Sequence, residues 1–472
     1  MLHLSRGGTR LLAFSSATLM AIGLLAVLSA GSSAHQRSAR HGAKTGHWQS
    51  GGGGSISSIP WGTANSTPVN LYTLSNGRGM TVNITNYGGV VQSITVPDRW
   101  GTPRDVVLGF PSLSDYVSDF TQGATGTPWP LSGGSGDTYF GAIIGRYANR
   151  IANAKFTMSC TGCDNNGMTY TLDANNGVNS LHGGYLGWNT VVWSATPSTS
   201  SNGVSLILTH SFPAGEGCTI PPSTSCTGYP APVTATVTYT LTRNNALKID
   251  YKAVNTAPAG GDATVINLTN HSYFNLGGEG SGSVDDQLLQ INANDYTPIN
   301  TTEIPESPFF VPVAGTAFDF THMKPIGQDI TNLNLPDGVG GTPFGPTFNQ
   351  LVIAHGYDHN FVLNGSGYRL AAVAQDPKDG IAMWTFTDQP GVQLYTGNFL
   401  VGDLSGPSGH AYRQTAAFTL ETQHYPDSPN HIVNSPGWPS VVLNAGSTFT
   451  TTTAYQFSTV GRGHYAHDRS FR

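Results

Sequence analysis

Polar and apolar residues alternate along most of the chain between about residues 60 and 460. Clear examples are Thr81–Thr85, Val233–Leu241 and Leu247–Tyr251. Successive side chains of a strand point to opposite faces, so a period of two that is rich in Val, Thr, Ile and Tyr predicts half-buried strands. The Thr- and aromatic-rich run Thr448–Phe457 predicts a final strand. Such cues recur about every ten residues with Gly, Asn, Asp or Pro between them, which favours a sandwich or barrel.

Helical patterns are scarce by comparison. The sequence has no long amphipathic helical run, no short-period repeat and no linker inside the strand-rich region. We therefore predict one all-β domain, a large antiparallel β-sandwich over residues 59–460, followed by a tail over residues 461–472. Short helical turns are expected at Ser112–Asp119 and Lys324–Leu333.

The amino-terminal segment has the pattern of an export signal. Arg6 and Arg10 precede the mostly apolar run Leu11–Leu28, and the small residues Ser32 to Ala34 offer a cleavage site. This pattern predicts a signal peptide over residues 1–34 and a secreted or periplasmic protein, with an uncleaved membrane anchor as the alternative. Residues 35–58 are rich in Gly, Ser and His, and we interpret them as a disordered linker.

Composition narrows the partners. Only 10% of the residues are charged and the net charge is −6, whereas a nucleic-acid-binding protein would normally carry a basic patch. No later segment is apolar enough to span a bilayer. We therefore expect no nucleic-acid partner, no membrane contact after signal cleavage, and a monomer.

Four cysteines fall in two close pairs. Three connectivities are possible, and the local pairs Cys160–Cys163 and Cys218–Cys226 are the simplest because each closes one loop. Disulfides would fit an oxidising compartment. A zinc site is the alternative for the first pair, but the spacing of the second pair is wrong for a zinc ribbon.

Several apolar strand segments contain an ionisable or amide side chain. These segments are Ile144–Ile151, Asn179–Gly184, Asn267–Leu276, Ala317–Phe320, Gly391–Asn398 and Phe418–Gln423. Burying such groups is unfavourable unless they are paired or hydrogen-bonded. A cluster of them from separate strands would form a polar pocket, so we predict one within the sandwich.

Each candidate also has a structural interpretation when it is taken alone. His182 and His271 could be structural hydrogen-bonding groups, and Glu421 could face solvent on an alternating strand. The other side chains with such an interpretation are Arg146 and Arg150 as ion-pair partners or solvated strand ends, Asp319 as a turn cap, and Gln393 as a backbone partner.

A possible metal cluster is formed by His355, Asp358 and His359. It lacks a further ligand at matched spacing, so we predict no metal site there.

Taken together and in order, these segments resemble the aldose 1-epimerase (galactose mutarotase) family over roughly Leu71–Phe457. The resemblance begins with Asn86–Gly89 and Asp105–Phe110, which are similar to the family's opening strands. It implies the family's large antiparallel β-sandwich, which agrees with the strand pattern. The stretches Gly123–Gly136, Cys160–Cys163 and Gly215–Tyr229 depart from the family pattern as loop insertions.

The resemblance also implies residue roles. His271 matches the general acid and Glu421 the general base. Tyr273 is expected to line the same pocket. The positions that match sugar contacts are Asn149, Arg150, His182, Asp319 and Gln393.

The implied reaction is the interconversion of the α and β anomers of a free aldohexose by ring opening and closure, with no cofactor. Three alternatives stay open at this point. One is a non-catalytic carbohydrate-binding module on the same fold. Another is an epimerase of phosphorylated sugars, which would need extra cationic groups. The last is a glycoside hydrolase that uses Asp319 and Glu421 as its two carboxylates.

Overall fold

The fold is taken from a computed structural model that describes residues 46–49, 53–121, 137–219, 226–342, 349–431, 437–461, 463, 464 and 466. The expected signal peptide and the expected insertion Gly123–Gly136 lie outside the described residues. None of the helices in the described part of the chain has the length and apolar character that a bilayer crossing requires.

Three antiparallel sheets make up most of the domain, which confirms the predicted class. The first sheet has six strands in sequence order. They are Gly46–Gln49, Ser55–Ala64, Thr67–Ser75, Thr81–Thr85, Val91–Pro97 and Pro103–Asp105. The second sheet has nine strands. In spatial order they are Ser194–Ser200, Gly203–Phe212, Val233–Thr242, Ala246–Asn255, Thr448–Thr459, Ile381–Thr387, Arg369–Gln375, Leu288–Ile291 and Lys324–Pro325.

The third sheet, which we call the pocket sheet, has six strands. In spatial order they are Tyr273–Phe274, Phe418–Gln423, Gly391–Tyr395, Asp358–Leu363, Ala293–Tyr296 and Val311–Pro312. Five two-stranded pairs complete the strands of the described residues. They are Ile143–Ile144 with Thr269–Asn270, Arg150–Ile151 with Ser180–Leu181, Lys155–Thr157 with Thr169–Thr171, Thr264–Val265 with Val442–Leu443, and Val401–Ser405 with Ala411–Arg413.

Helices in the described residues are short. The α-helices are Leu113–Phe120 and Gln350–Ile353, and the 3-10 turns are Ala152–Ala154, Trp188–Thr190, Ile326–Gln328 and Ser428–Asn430. The first helix begins after Ser112, whose hydroxyl accepts a hydrogen bond from the Asp115 amide at 3.3 Å. The turn predicted at Lys324–Leu333 is helical only at Ile326–Gln328, because Lys324 and Pro325 pair with the nine-stranded sheet.

The core follows from the alternation. In Val233–Thr242 the residues Val233, Val237 and Leu241 are fully buried, and the threonines between the buried positions are partly exposed. Their buried side chains join one hydrophobic cluster with residues of the first sheet, such as Ile56, and of the pocket sheet, such as Leu420. Full burial of such a side chain contributes about 1.5–3 kcal/mol.

Described residues beyond both ends of the predicted domain contact its sheets. Gly46–Gln49 pairs with Ser55–Ser58, so part of the expected linker belongs to the first sheet. Ile56 in the paired strand is fully buried in the core, which the Gly- and Ser-rich composition did not indicate. At the other end, Gln375 exchanges hydrogen bonds with His464 and Ala466, so part of the expected tail packs on the nine-stranded sheet.

Both local disulfides are present, with Cα–Cα distances of 6.1 Å for Cys160–Cys163 and 5.8 Å for Cys218–Cys226. The zinc interpretation of the first pair is therefore wrong. The Cys218–Cys226 loop begins beside Glu216, whose carboxylate binds the fully buried Arg146 at 2.9 Å. Arg146 is thus a structural ion-pair partner, since its guanidinium also donates to the carbonyls of Pro230 and Ala231.

Candidate active site

A partly enclosed cavity lies over one face of the pocket sheet. Six of the eight residues predicted from the sequence line it. They are Asn149, Arg150, His182, His271, Tyr273 and Glu421. Gln393 is not among the lining residues, but its side-chain amide donates a hydrogen bond to Asp358, which does line the cavity, at 2.7 Å.

Strand register brings these side chains together. In the pocket sheet Tyr395 is paired with both Asp358 and Thr419, and Thr419 is paired with Tyr273, so these four form one cross-strand row. Glu421 is two residues beyond Thr419 and pairs with Gln393. Residues two apart on a strand share a face, so Glu421 and Asp358 point to the same side of the sheet.

His271 and Glu421 face each other in this cavity. The distance from His271 Nε2 to Glu421 Oε1 is 3.4 Å, and both side chains are almost wholly buried. The Thr419 hydroxyl donates to the same carboxylate oxygen at 3.0 Å. The second oxygen, Oε2, is buried and makes no hydrogen bond within the described residues, so it is available to a bound molecule.

Burial shifts the pKa values of this pair in opposite directions. Burial lowers the pKa of His271 to about 3, because the charged imidazolium is poorly solvated. Burial, together with the charge of Asp358, raises the pKa of Glu421 to about 8. At neutral pH the pair therefore holds one proton between two groups that can each donate or accept it.

His182 presents a hydrogen-bond donor to the cavity. Its Nδ1 accepts a hydrogen bond from the backbone N–H of Asn149 at 3.1 Å. Burial, with the nearby His271 and Arg150, keeps the pKa of His182 well below its usual value, so the ring is neutral. A neutral imidazole has one N–H, so the proton must be on Nε2.

This tautomer bears on metal binding. His182, His271 and Glu421 place one potential ligand atom each within 4.8 Å of one another. A metal ion would need the lone pair of His182 Nε2, which the proton occupies as long as Asn149 donates to Nδ1. The donor set therefore fits hydroxyl groups better than a metal ion.

Arg150 is a buried cation held by several acceptors. Its Nε donates to Asn176 Oδ1 at 3.0 Å, Nη2 pairs with the carboxylate of Glu303, and Nη1 lies 3.6 Å from Asp358 Oδ2. Burial raises the pKa of Asp358 to about 6, although Arg150 opposes that shift. Among the described residues that line the cavity, Arg150 is the one Lys or Arg side chain.

The structure does not bring Asp319 to this cavity. Its carboxylate accepts hydrogen bonds from its own turn, from the Thr321 amide at 3.1 Å and the Gly315 amide at 3.4 Å. It lines a separate surface cavity with His322 and Lys324. The two carboxylates proposed for a hydrolase, Asp319 and Glu421, therefore do not face each other across one pocket.

Asp358 is a cavity carboxylate that the sequence reasoning did not assign to the pocket. It begins the apolar strand Asp358–Leu363, so the same signal that singled out the other segments was present there. The suggested metal cluster separates in the fold. Asp358 faces the cavity, whereas the ring of His359 contacts Gln350 at 3.2 Å.

Comparison with known proteins identifies the family. The family model for aldose 1-epimerase matches residues 70–456. The chain therefore belongs to the aldose 1-epimerase family.

Relatives and solved structures cover most of the chain. Galactose mutarotase of Rattus norvegicus is 36% identical over 380 residues, 80% of this chain and 91% of the rat protein. Aldose 1-epimerase of Escherichia coli K12 is 33% identical over 394 residues, 83% of this chain and 95% of its own length. The crystal structure of galactose 1-epimerase from Lactobacillus acidophilus NCFM shares the fold, with a TM-score of 0.66 at 24% identity over 89% of this chain and all of that one.

Proposed function

We propose that this protein is an aldose 1-epimerase that interconverts the α and β anomers of free aldohexoses such as galactose and glucose. The observation that carries the proposal is the His271–Glu421 pair, which faces a buried polar cavity at 3.4 Å. Membership of the family supports the reaction class.

The proposed reaction needs one base and one acid. Glu421 removes the proton from the anomeric hydroxyl O1, and His271 gives a proton to the ring oxygen O5. The C1–O5 bond breaks as the C1–O1 double bond forms. Rotation about C1–C2 and closure with the two roles reversed yield the other anomer, and no proton is gained or lost overall.

The shared proton must lie on His271 when the sugar opens. Before the sugar binds, the pKa values favour Glu421 as the group that holds this proton. Sugar hydroxyls that donate to Glu421 stabilise its carboxylate form, and the positive charge of Arg150 acts in the same direction. Because the proton moves only within the pair, binding requires no net proton uptake.

The remaining polar groups are proposed to hold the sugar. His182 Nε2 and Arg150 donate to sugar oxygens, and Asp358 accepts from hydroxyl groups. Arg150 also stabilises the negative charge that develops as the ring opens. Its charge is already offset by Glu303 and Asp358, so the site favours a neutral sugar over a sugar phosphate.

Exchange between anomers at equilibrium tests the function. Saturation of the H1 resonance of α-galactose should transfer to β-galactose when catalytic amounts of the protein are added. Methyl α-galactoside is the control, because its blocked O1 has no proton to lose. Exchange of the free sugar without methanol release from the glycoside supports the epimerase, and methanol release supports a hydrolase instead.

Replacing Asp358 should weaken the enzyme, whereas replacing Asp319 should not. We expect D358N to lower kcat/KM about 10- to 100-fold, since a hydrogen bond to a charged group contributes about 1.5–3 kcal/mol. D319N is the matched control and should stay within about twofold, because its contacts lie within its own turn. Steady-state polarimetry of both variants decides between the two carboxylates, and the reverse ranking would restore Asp319 as the sugar contact.

The pH profile of kcat/KM should be bell-shaped. Activity should fall as the pH drops through about 6, because protonation removes the carboxylate of Asp358. It should also fall as the pH rises through about 8, where the pair loses its one proton and has no acid left. D358N should abolish the acidic limb and move the basic limb to lower pH, because the charge of Asp358 helps to raise the pKa of Glu421. A kcat/KM that stays constant into strongly alkaline solution would contradict the mechanism in which His271 and Glu421 share one proton.

We also infer that the protein acts outside the cytoplasm. The two disulfides fit an oxidising compartment, and the amino-terminal sequence pattern fits an export signal. The mass of the mature chain isolated from its native host tests this. Loss of about the first 34 residues is expected, and an intact amino terminus on a membrane-bound protein would indicate the uncleaved anchor.

A further inference from the structure

A tight turn beside the cavity carries Glu303 towards Arg150. The side chain of Asn300 fixes the turn by accepting hydrogen bonds from the amides of Thr302 at 2.9 Å and Ile304 at 3.2 Å. The carbonyl of Thr302 accepts from Asn179 Nδ2 at 3.0 Å. The turn is therefore attached to the segment that leads to the cavity residue His182, and its tip cannot swing freely.

Glu303 adopts a backbone conformation that a glutamate avoids. Its φ is 59°, in the left-handed region that residues with a Cβ rarely adopt. Such a conformation persists only where surrounding contacts enforce it, and it is commonest at functional positions. Here its visible consequence is that the carboxylate reaches the guanidinium of Arg150.

The contacts of Arg150 explain what the carboxylate does. A guanidinium is a rigid planar fork, so two occupied donor positions fix its orientation. Asn176 takes Nε and Glu303 takes Nη2, which leaves Nη1 directed towards Asp358 on the cavity wall. Without Glu303 the plane would be held by the Asn176 hydrogen bond at 3.0 Å and by the longer 3.6 Å contact with Asp358, so its orientation would be less firmly fixed.

We propose that Glu303 is a positioning residue: its carboxylate fixes the guanidinium of Arg150 in the cavity wall, so that the sugar meets a donor of preset direction. This inference rests on the proposed function. Glu303 does not line the cavity itself, so it acts on the sugar through Arg150. A guanidinium that is already fixed reduces the entropic cost of sugar binding, because no long side chain has to be ordered when the complex forms.

The opposite role would be a gate, in which Glu303 competes with the sugar for Arg150. The two roles predict opposite changes in KM. Removing a positioning residue weakens sugar binding, whereas removing a competitor strengthens it.

Two substitutions and one control separate the roles. E303A removes the acceptor and should raise KM about tenfold while kcat stays within about threefold. E303Q keeps an acceptor oxygen at the same reach, so it should restore KM to within about threefold of wild type. E306A is the matched control, because Glu306 is exposed on the same turn and should leave both constants unchanged.

The pH profile gives a readout that a purely structural role would not move. The charge of Glu303 raises the pKa of Asp358, so both E303A and E303Q should shift the acidic limb to lower pH. E306A should leave it in place. Asp137 also lines this site, and burial raises its pKa to about 7, so it too titrates near the acidic limb. The other charged and titratable groups around this site are Arg150, Glu421, His182, His271, Tyr139, Tyr273 and Tyr395. All of these groups, Asp137 included, are retained in these variants.

The outcomes are distinguishable from failure of the proposed function. A folded but inactive wild type would overturn the proposed epimerase function. The positioning role could then still be tested by comparing the galactose affinities of E303A and wild type by calorimetry. If the wild type is active, a lower KM in E303A would show that Glu303 is a gate. An unchanged KM together with an unshifted acidic limb would show that Glu303 does not position Arg150. If E303A does not fold, the isosteric E303Q still tests whether the acidic limb of the pH profile shifts.

Discussion

Replacing Glu421 by glutamine is expected to reduce the enzymatic rate of galactose mutarotation by about 10²- to 10⁴-fold, the usual contribution of general acid–base catalysis. The amide has nearly the same size and keeps an oxygen that can accept the hydrogen bond of Thr419, so the cavity should keep its shape. What it loses is the site that exchanges a proton with O1 and with His271. The loss should therefore appear in kcat and much less in KM.

Polarimetry of α-galactose under saturating conditions measures this loss. The melting temperature and the galactose affinity of E421Q, compared with wild type, control for folding and for an intact cavity. A folded E421Q that keeps more than about a tenth of the wild-type kcat would show that Glu421 is not the base.

Replacing His271 by asparagine should cost a similar factor, about 10²- to 10⁴-fold in kcat. Each half-reaction needs one partner to give a proton while the other takes one, and the two partners share a single proton. The double variant H271N/E421Q should therefore lose little more than either single variant, because residues that act as a unit are strongly non-additive.

The matched control is H322N. His322 is an exposed histidine beside Asp319 in the separate surface cavity, so its replacement should leave kcat unchanged. Losses that multiply in H271N/E421Q would mean that the two residues act in independent steps, and the shared-proton mechanism would be wrong.

Alternation along the strands was enough to predict the fold class. In Val233–Thr242 every second residue is buried, so local sequence carries the full signal of a half-buried antiparallel strand. The same signal does not say which strands pair. The neighbours of Asp358–Leu363 in the pocket sheet lie more than 25 residues away along the chain on both sides, and no local pattern encodes that choice.

This is why Asp319 was predicted in place of Asp358. Both carboxylates stand in apolar segments, and only the pairing of Asp358 with Tyr395 places one of them on the sheet face that carries Glu421. Glu303 was missed for a related reason. It lies in a polar turn with no strand pattern, and its importance depends on a left-handed φ and on Arg150, which is distant in sequence.

The strand residues before the predicted start of the domain went unrecognised for a different reason. The segment before residue 59 is rich in Gly and Ser, which usually predicts a disordered linker. A single apolar residue, Ile56, is buried because the strand partner of Ser55–Ala64 fixes its direction into the core. The composition of a whole segment does not reveal a single buried apolar residue within it.

The rate at which pure α-galactose approaches its anomeric equilibrium tests the central claim most directly. We predict that optical rotation will relax exponentially with a rate constant proportional to the concentration of the wild-type protein, and that it will reach the same final rotation as in buffer. Relaxation at the buffer rate in the presence of folded protein that binds galactose would contradict the account, and the chain would then be a carbohydrate-binding member of its family.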